Sequence, residues 1–319
     1  MASNTSSKQV VYVALAGNLL VASTKACAAA WTGSSAMLSE AVHSFVDTGN
    51  ELLLLYGMHR ATRHADQEHP IGYGREFYFW SFIVALLVFA LGAGVSLYEG
   101  VMHLREVALI KDPLVNYIVL GLAFLFEGTS WLVSLRQFRA SKRSLGYYEA
   151  FRRSKDPATF IVLFEDSAAL LGIAIAAIGT FMSTTMGMPI FDGIASLLIG
   201  LLLAATASLL ARESKSLLLG ERADSVLSDS ILHIAAHEKS VFRANGVLTI
   251  QLAPDQILAA LSLEFADNLQ TSDIEKSVVD IEREVRKSHP EVVTLFIKPQ
   301  TELAYKETVR QRYGSRNRY

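Results

Sequence analysis

The chain has 319 residues, of which 51% are hydrophobic and only 19% charged, against the roughly 25% charge usual in soluble domains. Apolar content this high excludes disorder, and a net charge of −2 gives no basic face for nucleic acid. The single cysteine, Cys27, excludes a disulfide framework and a Cys-rich zinc module.

The apolar residues are concentrated in the first two thirds. A bilayer core takes about 20 apolar residues to cross as a helix, and six stretches meet that length: Val10 to Ala30, Ser35 to Met58, Phe77 to Met102, Pro113 to Leu135, Pro157 to Met182 and Pro189 to Leu210. Asp112-Pro113 and Asp156-Pro157 open the fourth and fifth, and Pro189 the sixth. A carboxylate there can cap free backbone N–H groups, and proline fits a first turn that has no partner for its missing N–H. Phe82–Ala93 and Ile194–Leu210 carry no charge on any face, unlike a surface helix with its polar stripe. The opening MASNTSSK lacks the basic, apolar, small-residue order of a cleaved signal, so the first span reads as a retained insertion signal.

Lys and Arg mark cytoplasmic loops. Arg60, Arg63 and Arg75 follow span two, and Arg136, Arg139, Lys142, Arg143, Arg152, Arg153 and Lys155 lie between spans four and five. Arg212 and Lys215 follow span six, whereas Trp31–Ser34 and Ser183–Met188 are uncharged. This pattern predicts an even number of spans with both termini in the cytoplasm; the location expected for the chain is the cell (inner) membrane.

After Arg212 the composition becomes that of a soluble domain. Asp224–Lys239 reads as a helix, Val247–Leu252 and Ile257–Phe265 as strands, Thr271–Ser288 as a helix capped by Thr271 or Ser272, and Val292–Lys298 as a last strand. The second strand alternates at Ile257, Ala259, Leu261, Leu263 and Phe265, and Pro254-Asp255 marks the turn before it. About 80 residues is near the lower limit for independent stability, which dimerisation would relieve. The expected architecture is an all-α six-helix transmembrane domain over 1–212, a C-terminal cytoplasmic α+β domain (αββαβ, ferredoxin-like) over 213–300, and a flexible tail over 301–319.

Charge inside a bilayer costs at least ~2.5–3.5 kcal/mol on insertion scales. Span two nevertheless carries Glu40, His43, Asp47, Asn50 and Glu51. His43 and Asp47 are four apart, on one helix face, and an imidazole beside a carboxylate is half of a divalent-metal site. A polar stripe that only holds helices together fits the same spacing. Span five carries Glu165-Asp166, neighbours that point roughly 100° apart on a helix. One of them therefore faces the metal and the other a neighbouring helix or water; if Asp166 faces His43 and Asp47, three protein ligands are in place. Glu127 in span four serves as a proton relay or as a hydrogen-bonding partner across helices. Asp192 reads as an N-terminal helix acid, and Glu99 as an interfacial one. Asp66 and His69, in the loop after span two, have metal-ligand spacing; a solvated loop fits equally.

Together, Leu38-Ser39-Glu40-Ala41-Val42-His43-Ser44-Phe45-Val46-Asp47-Thr48, His69-Pro70-Ile71-Gly72-Tyr73-Gly74-Arg75-Glu76 and Asp192-Gly193-Ile194-Ala195-Ser196-Leu197-Leu198-Ile199-Gly200 resemble the cation diffusion facilitators, the zinc-transporter family. Val162–Gly172 resembles the divergent branch that includes mitochondrial zinc transporters of animals. The resemblance implies a homodimer that exports a divalent cation, usually Zn²⁺, from the cytoplasm in exchange for protons, with alternating access and no bound cofactor. It implies a metal site between spans two and five, with His43, Asp47 and Asp166 matching the ligands. The family's second histidine is Val162 here, leaving Glu165 as a substitute and an oxygen-richer site that also suits Mn²⁺, Fe²⁺ or Co²⁺. In the loop, Asp66 and His69 match a second site of some members, with Tyr73 in place of its other histidine. The three strands contain no His, and His233 and His237 read as a solvated helix face, so the small domain is expected to dimerise without a full zinc centre. Arg75 is expected to form a charge contact with Glu221 or Asp224 that links the domains. No His-Glu-x-x-His motif supports a membrane metallohydrolase. A non-transporting metal-binding protein and a plain channel are the remaining alternatives.

Overall fold

The computed structural model describes residues 3–106, 108–141, 146 and 155–314. The chain divides into two compact units, Met1–Thr62 with Glu76–Lys215 and Arg63–Arg75 with Ser216–Tyr319. The basic residues Lys142, Arg143, Arg152 and Arg153 lie outside the described residues.

Six long helices come first: α1 (Ser3–Thr32), α2 (Ser35–Ala61), α3 (Arg75–Arg105), α4 (Pro113–Ser141), α5 (Pro157–Thr185) and α6 (Ile190–Leu219). Four of them, α3 to α6, contain stretches long and apolar enough to cross a membrane. Their outward residues are large and apolar: Ile118, Leu122 and Leu125 on α4, and Leu171 and Ile178 on α5, are all more than half exposed. Such residues belong against lipid rather than water. α6 continues to Leu219, seven residues beyond the expected boundary at 212, and stops at Gly220, whose φ is +100°.

The interior of this unit is small and tightly packed. Ala28, Ala29, Ala36, Ala123, Ala168, Ala176 and Ala195 form a cluster with Met37, Leu120, Ile199 and Leu203. Small residues let helix backbones approach where lipid supplies no hydrophobic drive between helices. The contact of α3 with α6 is reciprocal: any side chain at Gly100 would strike Leu197, and any at Gly200 would strike Leu97. α3 also loosens to π-helical winding at Val88–Ala93, where Val88 packs with Val46 and Ala207.

Two helix starts are capped otherwise than expected. Asp192 does not serve its own helix. Its Oδ1 accepts from the Ser34 hydroxyl at 2.6 Å and its Oδ2 from the Ser35 N–H at 2.5 Å, so it caps α2 from α6. Asp112, at φ 45°, accepts through Oδ2 from Trp31 Nε1 at 3.1 Å, and its carbonyl rather than its carboxylate takes the Val115 N–H.

The second unit contains α7 (Ser225–Ala236), β1 (Val241–Ala253), β2 (Gln256–Phe265), α8 (Thr271–Ser288), β3 (Val292–Pro299) and α9 (Glu302–Tyr313). The sheet order is β1-β2-β3, with β1 antiparallel to β2 and β2 parallel to β3. Ile257, Ala259, Leu261 and Leu263 of β2 are buried with Leu227 and Ile231 of α7 and Ile281 and Val285 of α8. α7 stops at Ala236, short of Lys239, and β1 starts six residues before Val247 because Val241 already pairs with Phe265. Gln270, not Thr271 or Ser272, caps α8, in a capping box with Asp273.

The stretch expected as a loose tail forms α9 over Glu302–Tyr313. Thr301 caps it, Lys306 pairs with Glu302 at 2.7 Å, and Arg243 of β1 holds Glu302 at 2.5 Å. Tyr305 lies over Gly246 of β1, where no side chain would fit. Residues 315–319 lie outside the described residues.

Candidate metal site

α2 carries the polar run of the first unit. Successive turns place Glu40, His43, Asp47 and Asn50 inward: Glu40 and Asn50 are fully buried, and His43 is 1% exposed. His43 Nδ1 lies 3.5 Å from Asp47 Oδ1, as their spacing predicts. Neither ring nitrogen of His43 makes a hydrogen bond among the described residues. A buried imidazole in that state carries a desolvation cost and two nitrogens with coordinating chemistry.

Beside it lies a cavity of about 30 Å³, room for one ion or a water or two. Asp47 and Glu51 of α2, Glu127 and Ser130 of α4, and Glu165 and Asp166 of α5 line it, with Asn18, Ser44 and Val162. Glu165 and Asp166 diverge as the helix geometry requires. Glu165 Oε1 accepts from Asn50 Nδ2 at 2.8 Å, so it reaches toward α2. Asp166 Oδ2 accepts from Ser130 at 3.0 Å and Ser134 at 3.1 Å, so it reaches toward α4. Glu165, rather than Asp166, is thus the acid tied to the helix of His43 and Asp47. Val162, which stands where the resemblance implies a histidine, is part of the wall.

The wall offers hard carboxylate oxygens to a cation; His43 is not part of it and adjoins it through Ser44 and Asp47. Among the described residues, no three His, Cys, Asp or Glu side chains stand close enough to hold one ion together.

Lys25 escapes the sequence reading. It is fully buried on α1, 2.8 Å from Ser44 Oγ, 3.1 Å from Glu40 Oε2 and 3.8 Å from Glu127 Oε1. The available signal was a lysine within an apolar span, where a charge is costly unless it is paired. Glu127 thus faces both this ammonium and the cavity. Gly172 of α5 leaves room for Glu40 Oε1, which any side chain there would strike.

The loop acids and bases are arranged differently. Asp66 accepts through Oδ1 from the His69 N–H at 2.7 Å and through Oδ2 from the Tyr73 hydroxyl at 2.6 Å. The His69 ring lies 4.3 Å from that of Tyr73. The Tyr73 bond, aided by the His69 N–H, lowers the Asp66 pKa, and the same bond raises that of Tyr73. Both Asp66 oxygens are committed within the loop, and all three residues are exposed or half-exposed. Arg75 and Glu221, expected to link two domains, both fall in the second unit, where Arg75 lies against Gly220 at φ +100°. Glu221 accepts from the Ser216 hydroxyl. His233 and His237 are exposed, with His237 Nδ1 2.8 Å from the His233 carbonyl.

A family model, the cation efflux transmembrane domain, matches residues 11–219. The chain belongs to the cation efflux family, the cation diffusion facilitators. It is 32% identical over 275 residues to the human mitochondrial proton-coupled zinc antiporter SLC30A9, covering 85% of this chain and 48% of that protein. It is 34% identical over 238 residues to metal tolerance protein C4 of Arabidopsis thaliana, covering 74% and 52%. Magnetosome protein MamB of Magnetospira is 26% identical over 175 residues, covering 54% of each. The chain spans about half the length of the antiporter and the tolerance protein. Family membership and the apolar helices make it an integral membrane protein.

Proposed function

We propose that this protein carries a divalent metal cation, Zn²⁺ foremost, out of the cytoplasm in exchange for protons. The observation that carries the reading is the convergence of Asp47, Glu165 and Asp166 on one cavity, with the buried His43 imidazole 3.5 Å from Asp47 and without a hydrogen bond among the described residues, within a cation efflux domain. The names of the antiporter and the tolerance protein support the cargo class.

In this reading all six long helices span the membrane, with the basic loops, both termini and the small unit on the cytoplasmic side of the cell membrane. A cation loads from that side onto His43, Asp47 and Asp166, with Glu165 as a further oxygen ligand, and displaces protons held there. Rocking of the helices opens the cavity to the other side. Protons arriving there compete for the imidazole, whose ordinary pKa is about 6.5, and for the carboxylates, and the cation leaves. The protonated site then returns. The chain works as a homodimer joined through its small unit. One imidazole among three carboxylates also admits Mn²⁺, Fe²⁺ and Co²⁺.

The test is Zn²⁺ flux in proteoliposomes with and without a pH gradient. Flux that rises when the acceptor side is acid, and that is lost in Asp47→Ala and Asp166→Ala, supports the reading. Wild-type flux in both variants removes the site, gradient-independent conduction indicates a channel, and binding without flux indicates a metal-binding protein that does not transport.

A further inference from the structure

Lys25 is a buried cation beside a cavity built to attract cations. Every polar group it meets among the described residues comes from α2 or α4: Glu40 and Ser44 from α2, Glu127 from α4. Two of the three, Ser44 and Glu127, also line the cavity, so the ammonium stands directly behind its wall. The distances rank the partners. Glu40 is held at 3.1 Å with its side chain fully buried, a pair that does not part without stranding a charge. Glu127 stands at 3.8 Å, beyond hydrogen-bond length, with its side chain 14% exposed, and it is one of the residues lining the cavity. The tight partner fixes the ammonium in place, and the loose partner is shared.

We propose that Lys25 sets the charge of the transport cavity: its ammonium is the standing partner of Glu127, and an entering divalent cation takes Glu127 from it. The inference rests on the transport reading above and adds a residue that touches no cargo. With five carboxylates on the cavity wall, a site without this counter-charge would hold a divalent cation too firmly to release it. Loading moves Glu127 from Lys25 to the cation; release gives it back. Lys25 thus lowers affinity and speeds turnover, as a competitor that never leaves.

The experiment uses the full chain, with Zn²⁺ transport in proteoliposomes resolved into KM and maximal rate and Zn²⁺ titrated into the same protein in detergent. Lys25→Met/Glu40→Gln removes a positive and a negative charge together and strands neither. Lys25→Gln, whose amide still donates to Glu40 and Ser44, guards against a double variant that does not fold. Both variants are expected to lower KM and the dissociation constant for Zn²⁺ and to slow the maximal rate, Lys25→Gln by about tenfold and the double variant, which also loses the Glu40 charge, by less. Adding Glu127→Gln is expected to return both constants to within about threefold of wild type. Lys25→Arg, which keeps the charge, stays near wild type. An unchanged or raised KM in the neutral variants, or no effect of Glu127→Gln on them, overturns the proposal and leaves Lys25 a tie between helices. Wild-type protein that neither binds nor moves Zn²⁺ sinks the transport reading instead, before any variant is compared.

Discussion

Asn50 donates to Glu165 across 2.8 Å, so a buried hydrogen bond joins α2 to α5 at the wall of the cavity. Glu165→Gln keeps an acceptor for Asn50 and removes the charge. The expected result is an unchanged melting temperature in detergent with Zn²⁺ KM raised about tenfold, as loss of one ligand charge requires. Asn50→Leu does the reverse: it strands the Glu165 oxygen, costs about 1–3 kcal/mol, and shows as a lower melting temperature. Equal melting temperatures for both variants would remove the bond from the account.

Asp166 is held by two hydroxyls, Ser130 and Ser134. Orienting partners of this kind are worth about 10–100-fold in metal affinity. Ser130→Ala/Ser134→Ala should therefore weaken Zn²⁺ binding by about tenfold while Asp166→Asn abolishes it, both read by titration calorimetry. Wild-type affinity in the double alanine variant would show that Asp166 needs no positioning.

Asp192 holds the start of α2 from a helix 157 positions further along the chain. Asp192→Ala leaves the Ser34 hydroxyl and the Ser35 N–H without their acceptor, at about 1–3 kcal/mol. Thermal unfolding in detergent should register the loss, and Asp192→Asn, which keeps one carbonyl oxygen, should lose less.

The Asp66–Tyr73 bond makes a prediction about acid. Asp66 has a lowered pKa in the folded loop, chiefly through Tyr73. A depressed carboxylate contributes stability that is present above its unfolded value, about 3.9, and is lost as pH falls through the folded value. Carboxyl ¹³C NMR should show Asp66 titrating below that value in the wild type and moving up in Tyr73→Phe. No difference between the two would mean that the hydroxyl does not hold the carboxylate in solution.

Much of the fold is legible in the sequence because it is written in periodicity. Alternation sets β2 within one residue of Ile257, and the apolar spacing of Ile274, Val278, Ile281 and Val285 sets α8 over Thr271–Ser288. The facing of His43 with Asp47 is legible for the same reason. What escapes depends on partners far away in the chain. Asp192 reads as a cap for its own helix because nothing near it names Ser34 and Ser35. Lys25 sits among alanines and small polar residues, and its partners Glu40 and Glu127 lie on other helices. The division of labour between Glu165 and Asp166 depends on how α5 is rotated, which their adjacency leaves open. α9 is too polar to show an apolar face, and it is fixed instead by Arg243 and by the bare backbone at Gly246.

The crossed seating of Leu97 over Gly200 and Leu197 over Gly100 has a mechanical consequence. Each helix supplies one peg and one socket, so axial sliding in either direction lifts a leucine onto a backbone with no space for it. Such a joint resists shear along the pair. All nine residues of the cation cavity lie on α1, α2, α4 and α5. The interlocked pair and the cavity are thus built from different helices.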